Sequence, residues 1–533
     1  MWDDKKLDQV FLYDTTLRDG AQRRGMSLTL EDKLKIAVEL DRFGMAYIEG
    51  GWPGSNPKDQ AFFDRARAMN FHHAKLVAFG STRRRGLKPE EDANLQALLG
   101  AETPAVAVVG KCWTLHVEKV LGTTLDQNLA MISDSVRFLK DHGREVIYDG
   151  EHFFDGYKAN PEYAIATLKA AEEAGADWLV LCDTNGGSLP SQVAEITAIV
   201  RAVTSCKLGV HTHNDAELAV ANALSAVESG CDMVQGTVNG YGERCGNANL
   251  ISLIPTLQLK MGRACVPKEH LSQLRDLALF VSETANLNPD SHAPYVGRNA
   301  FAHKGGIHVA AVEKLAESYE HIVPEVVGNQ RRFVVSELSG RGNIRMRAGE
   351  LGLETRGREV QVLEKVKELE RRGFQFESAE GGFELIVRRT DDQYCAPFKV
   401  LDTFVISTQR KGVTSSEATV KLKIGNETAH TAAEGDGPVH ALDLALRKAL
   451  LPYYPQFKNV RLVDYKVRIL DREMATSATT RVLIEAAHGE TRWSTVGCSV
   501  NIIEASTQAL ADSLELFLLR ENAVPNKHAL NLY

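Results

Sequence analysis

"KLGVHTHND", residues 207–215, begins as an apolar run and ends on two histidines, an asparagine and an aspartate. In a strand, alternate side chains share a face, so His211 and His213 would aim at one point. In a loop they would be two unrelated surface imidazoles. The surrounding chain decides between these readings. From residue 9 to about 262 a single pattern recurs, in which a short apolar run ends in polar or glycine residues and an amphipathic stretch follows. The eight runs are "QVFLYDTTLR", "MAYIEGG", "KLVAFGS", "AVAVVGK", "EVIYDGEHF", "WLVLCDT", "KLGVHTHND" and "DMVQGTVNGY". Helix signals lie between them. In "SLTLEDKLKIAVELDRFG", Ser27 or Thr29 serves as N-cap and Gly44 as stop; in "NPEYAIATLKAAEEAG", Pro161 enters the first turn and Gly175 ends it. Eight β-α units in roughly 250 residues predict an α/β fold, a closed (β/α)8 TIM barrel. The alternative is a doubly wound open sheet, which would gather its polar residues at one switch point.

A barrel places its chemistry at the C-terminal ends of its strands. The polar residues there are Arg18 and Asp19 after the first run, Glu49, Ser81, Lys111 and Glu151. Asp183 and Thr184 follow on the sixth, His211, His213 and Asp215 on the seventh, and Asn239, Glu243 and Asn247 after the eighth. Asp19 with His211 and His213 makes a metal set. One carboxylate and two imidazoles leave open positions, which suits a divalent ion that must also hold substrate, and the absence of thiolate is compatible with Mn, Mg, Zn, Fe or Co. Asn247 offers a further neutral oxygen. Arg18 is either an ion-paired structural group or a stabiliser of oxyanion charge. Glu49 and Glu151 are either salt-bridge partners, of Arg18 or Lys111 for example, or proton-transfer groups. Asp215 lies past its strand and reads as a cap of the next helix.

The chain has 533 residues, 44% hydrophobic and 25% charged, with a formal net charge of −8. Such a mild charge carries no footprint for nucleic acid or an anionic membrane. No apolar run reaches the length of a membrane span, and the opening "MWDDKKLDQV" lacks the features of a targeting leader. The eight cysteines are scattered with no CxxC pair, which predicts free thiols in a reducing cytoplasm.

Beyond the barrel (1–265) the rhythm stops. Residues 266–392 read as a helical linker with subdomains, including the amphipathic "KEHLSQLRDLALFVSETANL", the glycine-rich segment bearing His303, His308, Tyr319 and His321, and a charged helix ending at Gly373. Residues 393–533 change to alternating strands with an internal repeat. A constant offset of 62 carries Asp402 to Asp464, Val420 to Val482 and Gly435 to Gly497, and each glycine precedes an amphipathic helix. This predicts a pseudo-symmetric α+β module for regulation and dimerisation, so the expected assembly is a homodimer.

"LRDGAQRRGMSLTLEDK", "HTHND", "GERCGNANL" and "HKGGIHVAAV" together resemble the signatures of the 2-isopropylmalate, homocitrate and citramalate synthases, over essentially the whole chain. "EGGWPGSNPKD", "AFGSTRRRG", "DGEHFFDGYKANPEYA" and "LCDTNGG" look most like the long citramalate synthase subgroup. The resemblance implies condensation of acetyl-CoA, as co-substrate, with a 2-oxo acid (pyruvate in that subgroup) to give (R)-citramalate and CoA in isoleucine biosynthesis. It implies Asp19, His211 and His213 as ligands of a divalent metal (Mn, Mg, Zn or Co), with Asn247 matching a further ligand. Arg18 would stabilise the alkoxide. Glu151, His308 and Tyr319 would serve proton removal, the latter two from a segment that in relatives packs over the neighbouring subunit's site. Thr184 matches a residue that contacts the oxo acid, and Gln22 and Glu49 match other active-site residues. Isoleucine would bind the C-terminal module. The chain departs from the pattern at Ala21, where many relatives have Glu, at Glu217, where Gly is usual, and at Asn501, where Asp is common. The alternatives are 2-isopropylmalate or homocitrate synthase, a lyase or aldolase on a related barrel, and a non-catalytic amino-acid-sensing scaffold, which would have lost the metal set.

Overall fold

Eight parallel strands follow one another around a closed ring: β1 (Phe11–Asp14), β2 (Tyr47–Gly51), β3 (Lys75–Ser81), β4 (Ala105–Lys111), β5 (Glu145–Glu151), β6 (Trp178–Asp183), β7 (Lys207–Thr212) and β8 (Met233–Gly236). Pairing of β1 with β8, Phe11 opposite Met233 through Asp14 opposite Gly236, closes the barrel. That pair excludes an open sheet. This computed structural model describes residues 8–526 apart from Lys411, Arg472, Glu473, Ala475 and Thr476.

The strands read as continuous apolar runs because both of their faces are buried. Leu12, Ile48, Val106, Val108, Leu179, Leu181, Leu208 and Val210 join the layer shared with the helices. Tyr13, Tyr47, Val77, Ala107, Ile147, Trp178, Val180 and Met233 form a separate cluster that plugs the interior. Burying each large side chain contributes about 1.5–3 kcal/mol.

The helices around the ring are α1 (Leu30–Phe43), α2 (Pro57–Ala66), α3 (Ala93–Gly100), α4 (Leu125–Asp141), α5 (Phe153–Ala159), α6 (Pro161–Glu173), α7 (Pro190–Val203) and α8 (Ala219–Glu228). Thr29, not Ser27, caps α1 in a reciprocal box with Asp32, and Gly44 ends it at φ 102°. Two carboxylates steer strand entries. Asp41 accepts from the backbone N–H groups of His72, His73 and Ala74 at 2.9, 2.8 and 2.7 Å ahead of β3. Glu172 accepts from Ser205 N at 2.7 Å and Cys206 N at 3.0 Å ahead of β7. Burial alone would raise the Glu172 carboxyl, but bonds from Lys169 and Ser205 hold it down at about 2.

After β8 come α9 (Leu250–Pro255) and α10 (Leu274–Thr284). Leu274, Leu277, Ala278 and Val281 of α10 join the outer barrel core, so the barrel unit extends to Phe301 and also takes in Ile322–Gln330. The stretch 266–392 therefore divides between two compact units.

The second unit holds β9 (Ala302–His303), α11 (Gly306–Lys314), β10 (Arg332–Phe333), α12 (Arg341–Glu350), α13 (Glu359–Arg371) and α14 (Glu380–Arg389). Two antiparallel three-stranded sheets follow, each with a helix: β11 (Lys399–Arg410), β12 (Val413–Ile424), β13 (Glu427–Gly435) with α15 (Pro438–Leu450), then β14 (Arg461–Ile469), β15 (Thr480–His488), β16 (Thr491–Ser499) with α16 (Ile502–Arg520). The internal repeat extends to the register. The pairing breaks between Val400 and Asp402 in one sheet and between Leu462 and Asp464 in the other. Gly435 and Gly497 are where strand meets helix, and an added Cβ would lie 2.5 Å from Ala441 N and 1.9 Å from Ala505 O respectively. Asn501 caps α16, its side chain accepting from Ile503 N at 2.9 Å; Asp would cap as well. Among the described residues the eight cysteines are unpaired and no helix is long and apolar enough to cross a membrane.

Candidate active site

The turn after β1 presents Arg18 and Asp19 beyond the strand itself. Buried Asp14 accepts from Thr16 N and Thr16 Oγ1, both at 2.9 Å, and starts the turn. Thr15 N donates to Gly236 O at 2.8 Å and Val238 N to Thr16 Oγ1 at 2.9 Å, which ties the turn to the end of β8. Arg18 donates through Nε to Glu49 and through Nη1 to Asp19, and its guanidinium lies 3.8 Å from the centroid of the Phe79 ring. Glu49, fully buried on β2, also accepts from Tyr13 Oη at 2.5 Å. Burial pushes the Glu49 carboxyl up, against the pull of Arg18. Burial would raise Asp19 as well, but the Arg18 guanidinium beside it holds it below the usual carboxylate range.

His211 ends β7 with Thr212, and His213 lies one residue past the strand in a bridge with Asn247. The two Nε2 atoms are 3.3 Å apart. His211 Nε2 is 3.6 Å from Asp19 Oδ2 and 3.1 Å from Asn247 Nδ2. The other ring nitrogen, Nδ1, is 2.8 Å from Gln235 Oε1, and Gln235 Nε2 donates to Asp149 Oδ1 at 3.0 Å. An amide oxygen only accepts, so this bond places a proton on Nδ1, and the neutral tautomer it favours carries its lone pair on Nε2. Burial, then His211, pushes His213 down to about 3, so its ring is neutral. Asn247 reaches the cluster through two glycines. A Cβ on Gly242 would lie 2.0 Å from Asn247 Oδ1, and one on Gly246 2.0 Å from Gly240 O.

These residues fit a divalent ion. Asp19 Oδ2 and Asn247 Oδ1 are buried acceptors without a hydrogen-bond partner among the described residues. Two imidazoles with oxygens of a carboxylate and an amide are the kind of donor set that suits a borderline or hard cation. No three His, Cys, Asp or Glu side chains among the described residues already stand as a closed cage. Arg18 engages Asp19 Oδ1, and the Asn247 amide turns its Nδ2 toward His211 Nε2.

Arg18, Asp19, Gln22, Glu151, Thr184, His211 and His213 line one cavity of about 580 Å³. Glu49 stands behind Arg18, and Asn247 behind His211. Of the two readings left open, both acids are salt-bridged, Glu49 to Arg18 and Glu151 to Lys111. Thr184 Oγ1 accepts from His152 N at 2.8 Å, with His152 in the left-handed region at φ 55°. Asp215 does not cap α8. It clamps Arg244 at 2.7 and 2.9 Å, while Asn214 Oδ1 accepts from Ala219 N at 3.2 Å. Glu217 sits in the turn before α8 at φ 61°, a conformation that favours the glycine found in relatives. His308 and Tyr319 belong to the second unit, where their rings stack with centroids 4.3 Å apart.

Two interior residues escaped the sequence reading. Asp149 shares a face of β5 with Glu151, and burial, then Glu49, pushes its carboxyl up to about 8. Gln235 is a lone amide within the apolar β8. The signal for both was a polar side chain on the inward face of a parallel strand.

The family model described as HMGL-like matches residues 9–281, the homocitrate synthase post-HMGL domain-like model 295–373, and the LeuA allosteric (dimerisation) domain model 377–518. An (R)-citramalate synthase of Geobacter sulfurreducens is 52% identical over 97% of this chain and 98% of its own. One from Aquifex aeolicus is 50% identical over 96% and 98%. A 2-isopropylmalate synthase of Methanocaldococcus jannaschii is 29% identical over 96% and 95%.

Proposed function

Because the chain belongs to the family of the (R)-citramalate synthases and so condenses acetyl-CoA with pyruvate to citramalate and CoA, we propose that its barrel residues divide that chemistry as follows. Asp19, His211, His213 and Asn247 hold the divalent metal. The observation that carries this reading is the convergence of the His211 and His213 Nε2 atoms, 3.3 Å apart, with the partnerless buried Asp19 Oδ2, 3.6 Å from His211. When bound, a divalent ion supplies Lewis acidity that makes the keto carbon electrophilic. Arg18 keeps its charge although burial opposes it, because Asp19 and Glu49 lie beside it. Those two occupy Nε and Nη1, so Nη2 remains to stabilise the oxyanion that forms on the former keto oxygen. Glu151, on the adjoining wall, takes a proton from the acetyl methyl, with Lys111 balancing its charge before transfer. Thr184 and Gln22 orient the oxo acid, and Glu49 holds Arg18. Hydrolysis of the thioester then draws the condensation to completion.

The proposal includes His308 and Tyr319 as proton-transfer groups that a neighbouring chain of a homodimer is able to supply. It puts the protein in the cytoplasm, in keeping with its unpaired thiols. It also assigns isoleucine to the C-terminal module. There a cavity of about 820 Å³ is lined by apolar side chains such as Phe398 and Ile503, suited to an aliphatic side chain, and by Arg389, which is ion-paired with Asp512 and Glu515. Feedback requires that isoleucine bind the less active state more tightly. Unchanged rate and pyruvate affinity at millimolar isoleucine would remove that assignment.

The experiment for the main reading is CoA release from acetyl-CoA with pyruvate, 2-oxobutyrate, 2-oxoisovalerate and 2-oxoglutarate. Extra methylenes separate such substrates by only about 1–3 kcal/mol each. Pyruvate should lead by at least tenfold in kcat/KM; a lead by 2-oxoisovalerate overturns the reading.

A further inference from the structure

Six cationic side chains line the barrel cavity: Arg18, Arg83, Arg84, Arg85, Lys111 and Arg244. Four have carboxylate partners, Arg18 with Asp19 and Glu49, Arg83 with Asp134, Lys111 with Glu151, and Arg244 with Asp215. Among the described residues Arg84 and Arg85 have none within ion-pair distance, in a chain whose formal net charge is −8. Both follow the C-terminal end of β3 and are exposed. The loop beneath them is braced. Buried Arg83 donates to Asp134 Oδ2 at 2.7 Å and to the carbonyls of Arg84 and Leu87 at 3.3 and 3.1 Å. Arg83 N donates to Ser135 Oγ, and Arg84 N to Asp92 Oδ2, both at 2.8 Å. Arg85 bonds the carbonyl of Gly122 in the loop after β4, which places both guanidinium groups on the β3–β4 side of the mouth. The proposed metal donors Asp19, His211 and His213 lie at or beyond the ends of other strands, β1 and β7. Glu243, another acid of the lining, belongs to the loop after β8.

We infer that Arg84 and Arg85 form the subsite for the phosphates of acetyl-CoA. This rests on acetyl-CoA being the co-substrate of the cavity. Its thioester must reach Glu151 and Arg18 in the interior, so the phosphates at the far end of the pantetheine arm emerge at the mouth. A guanidinium presents a planar fork that matches phosphate oxygens, and two of them without internal carboxylates on a braced loop offer that fork without first breaking an ion pair. The β3–β4 rim thus anchors the thioester donor, and the β1–β7 rim the oxo acid.

The test compares acetyl-CoA with S-acetylpantetheine, which lacks the phosphates, in the unsubstituted protein, Arg84→Gln, Arg85→Gln and the double variant. Each substitution should raise KM for acetyl-CoA roughly tenfold, the order expected for a lost charge-assisted bond. KM for S-acetylpantetheine and for pyruvate should stay within about twofold. In the unsubstituted protein, added salt should raise KM for acetyl-CoA and not that for S-acetylpantetheine. Equal rises for both thioesters, or no rise for either, overturn the subsite. If the double variant fails to fold, the salt contrast decides. Failure of the unsubstituted protein to use acetyl-CoA with any 2-oxo acid would instead remove the reading on which the subsite rests.

Discussion

Replacing Gln235 by leucine tests how the fold prepares His211. Gln235 is fully buried and makes two bonds, accepting from His211 Nδ1 at 2.8 Å and donating to Asp149 Oδ1 at 3.0 Å. Leucine nearly preserves the volume but leaves the imidazole N–H and the carboxyl oxygen buried without partners. Each orphan costs about 1–3 kcal/mol, so Gln235→Leu should lose roughly 2–6 kcal/mol of stability. The metal effect is separate. Without its acceptor, the His211 ring no longer favours the tautomer that exposes the Nε2 lone pair. Loss of such a supporting bond typically weakens metal affinity about 10–100-fold, or about 1.4–2.7 kcal/mol. Calorimetric titration of manganese into the apo-protein reads the second effect, and urea denaturation the first. Gln235→Glu keeps the acceptor and gives up the donor, so it should lose stability while its manganese affinity stays within a few-fold. Unchanged metal affinity in a folded Gln235→Leu protein would refute the reasoning.

Asp149 makes a pH prediction. Its carboxyl is pushed up to about 8, chiefly by burial, so the folded chain keeps a proton that the unfolded chain releases near ~3.9. Stability therefore falls as pH rises from about 4 to about 8, and Asp149→Asn should gain on the unsubstituted protein over that window by on the order of a few kcal/mol in denaturation midpoints. Parallel pH profiles would contradict it. Mixing inactive Asp19→Asn and His308→Ala chains should restore up to roughly a quarter of the activity if neighbouring chains complete each other's sites in a dimer that exchanges subunits. No recovery despite mixed dimers confirmed by mass spectrometry counts against the shared site. Gly497→Ala should cost the C-terminal module about 1–3 kcal/mol or more by overpacking against Ala505, whereas Gly437→Ala, with nothing within 4 Å of the added carbon, should be near neutral in thermal melts.

The barrel was legible because its strands are buried on both faces and separated by capped helices, so eight apolar runs stand out without any partner information. The metal donors were legible for a related reason: strand ends are where a barrel puts polar side chains, and His211 and His213 have the spacing of one face. Other features depend on tertiary context. Arg18 and Asp19 lie beyond β1 because Asp14 and Thr16 start a turn there, and nothing in the apolar run announces its early end. Asp215 resembled a cap because its true partner, Arg244, lies 29 residues away. Asp149 and Gln235 were overlooked because a polar residue inside a parallel strand is legible only once the ring shows which face is inward. The region after the barrel has little periodicity, so its division between two units appears only in the packing of α10.

The central claim is that Asp19, His211 and His213 hold the divalent ion on which condensation depends. Manganese titration into metal-stripped protein, with CoA release from acetyl-CoA and pyruvate followed in the same samples, tests it most directly. The account predicts that binding and turnover return together in the unsubstituted protein, and that Asp19→Asn, His211→Ala and His213→Ala each weaken manganese binding at least about 100-fold and abolish CoA release. A folded variant among the three that binds manganese as tightly as the unsubstituted protein, or turnover that persists in the stripped protein, would contradict it.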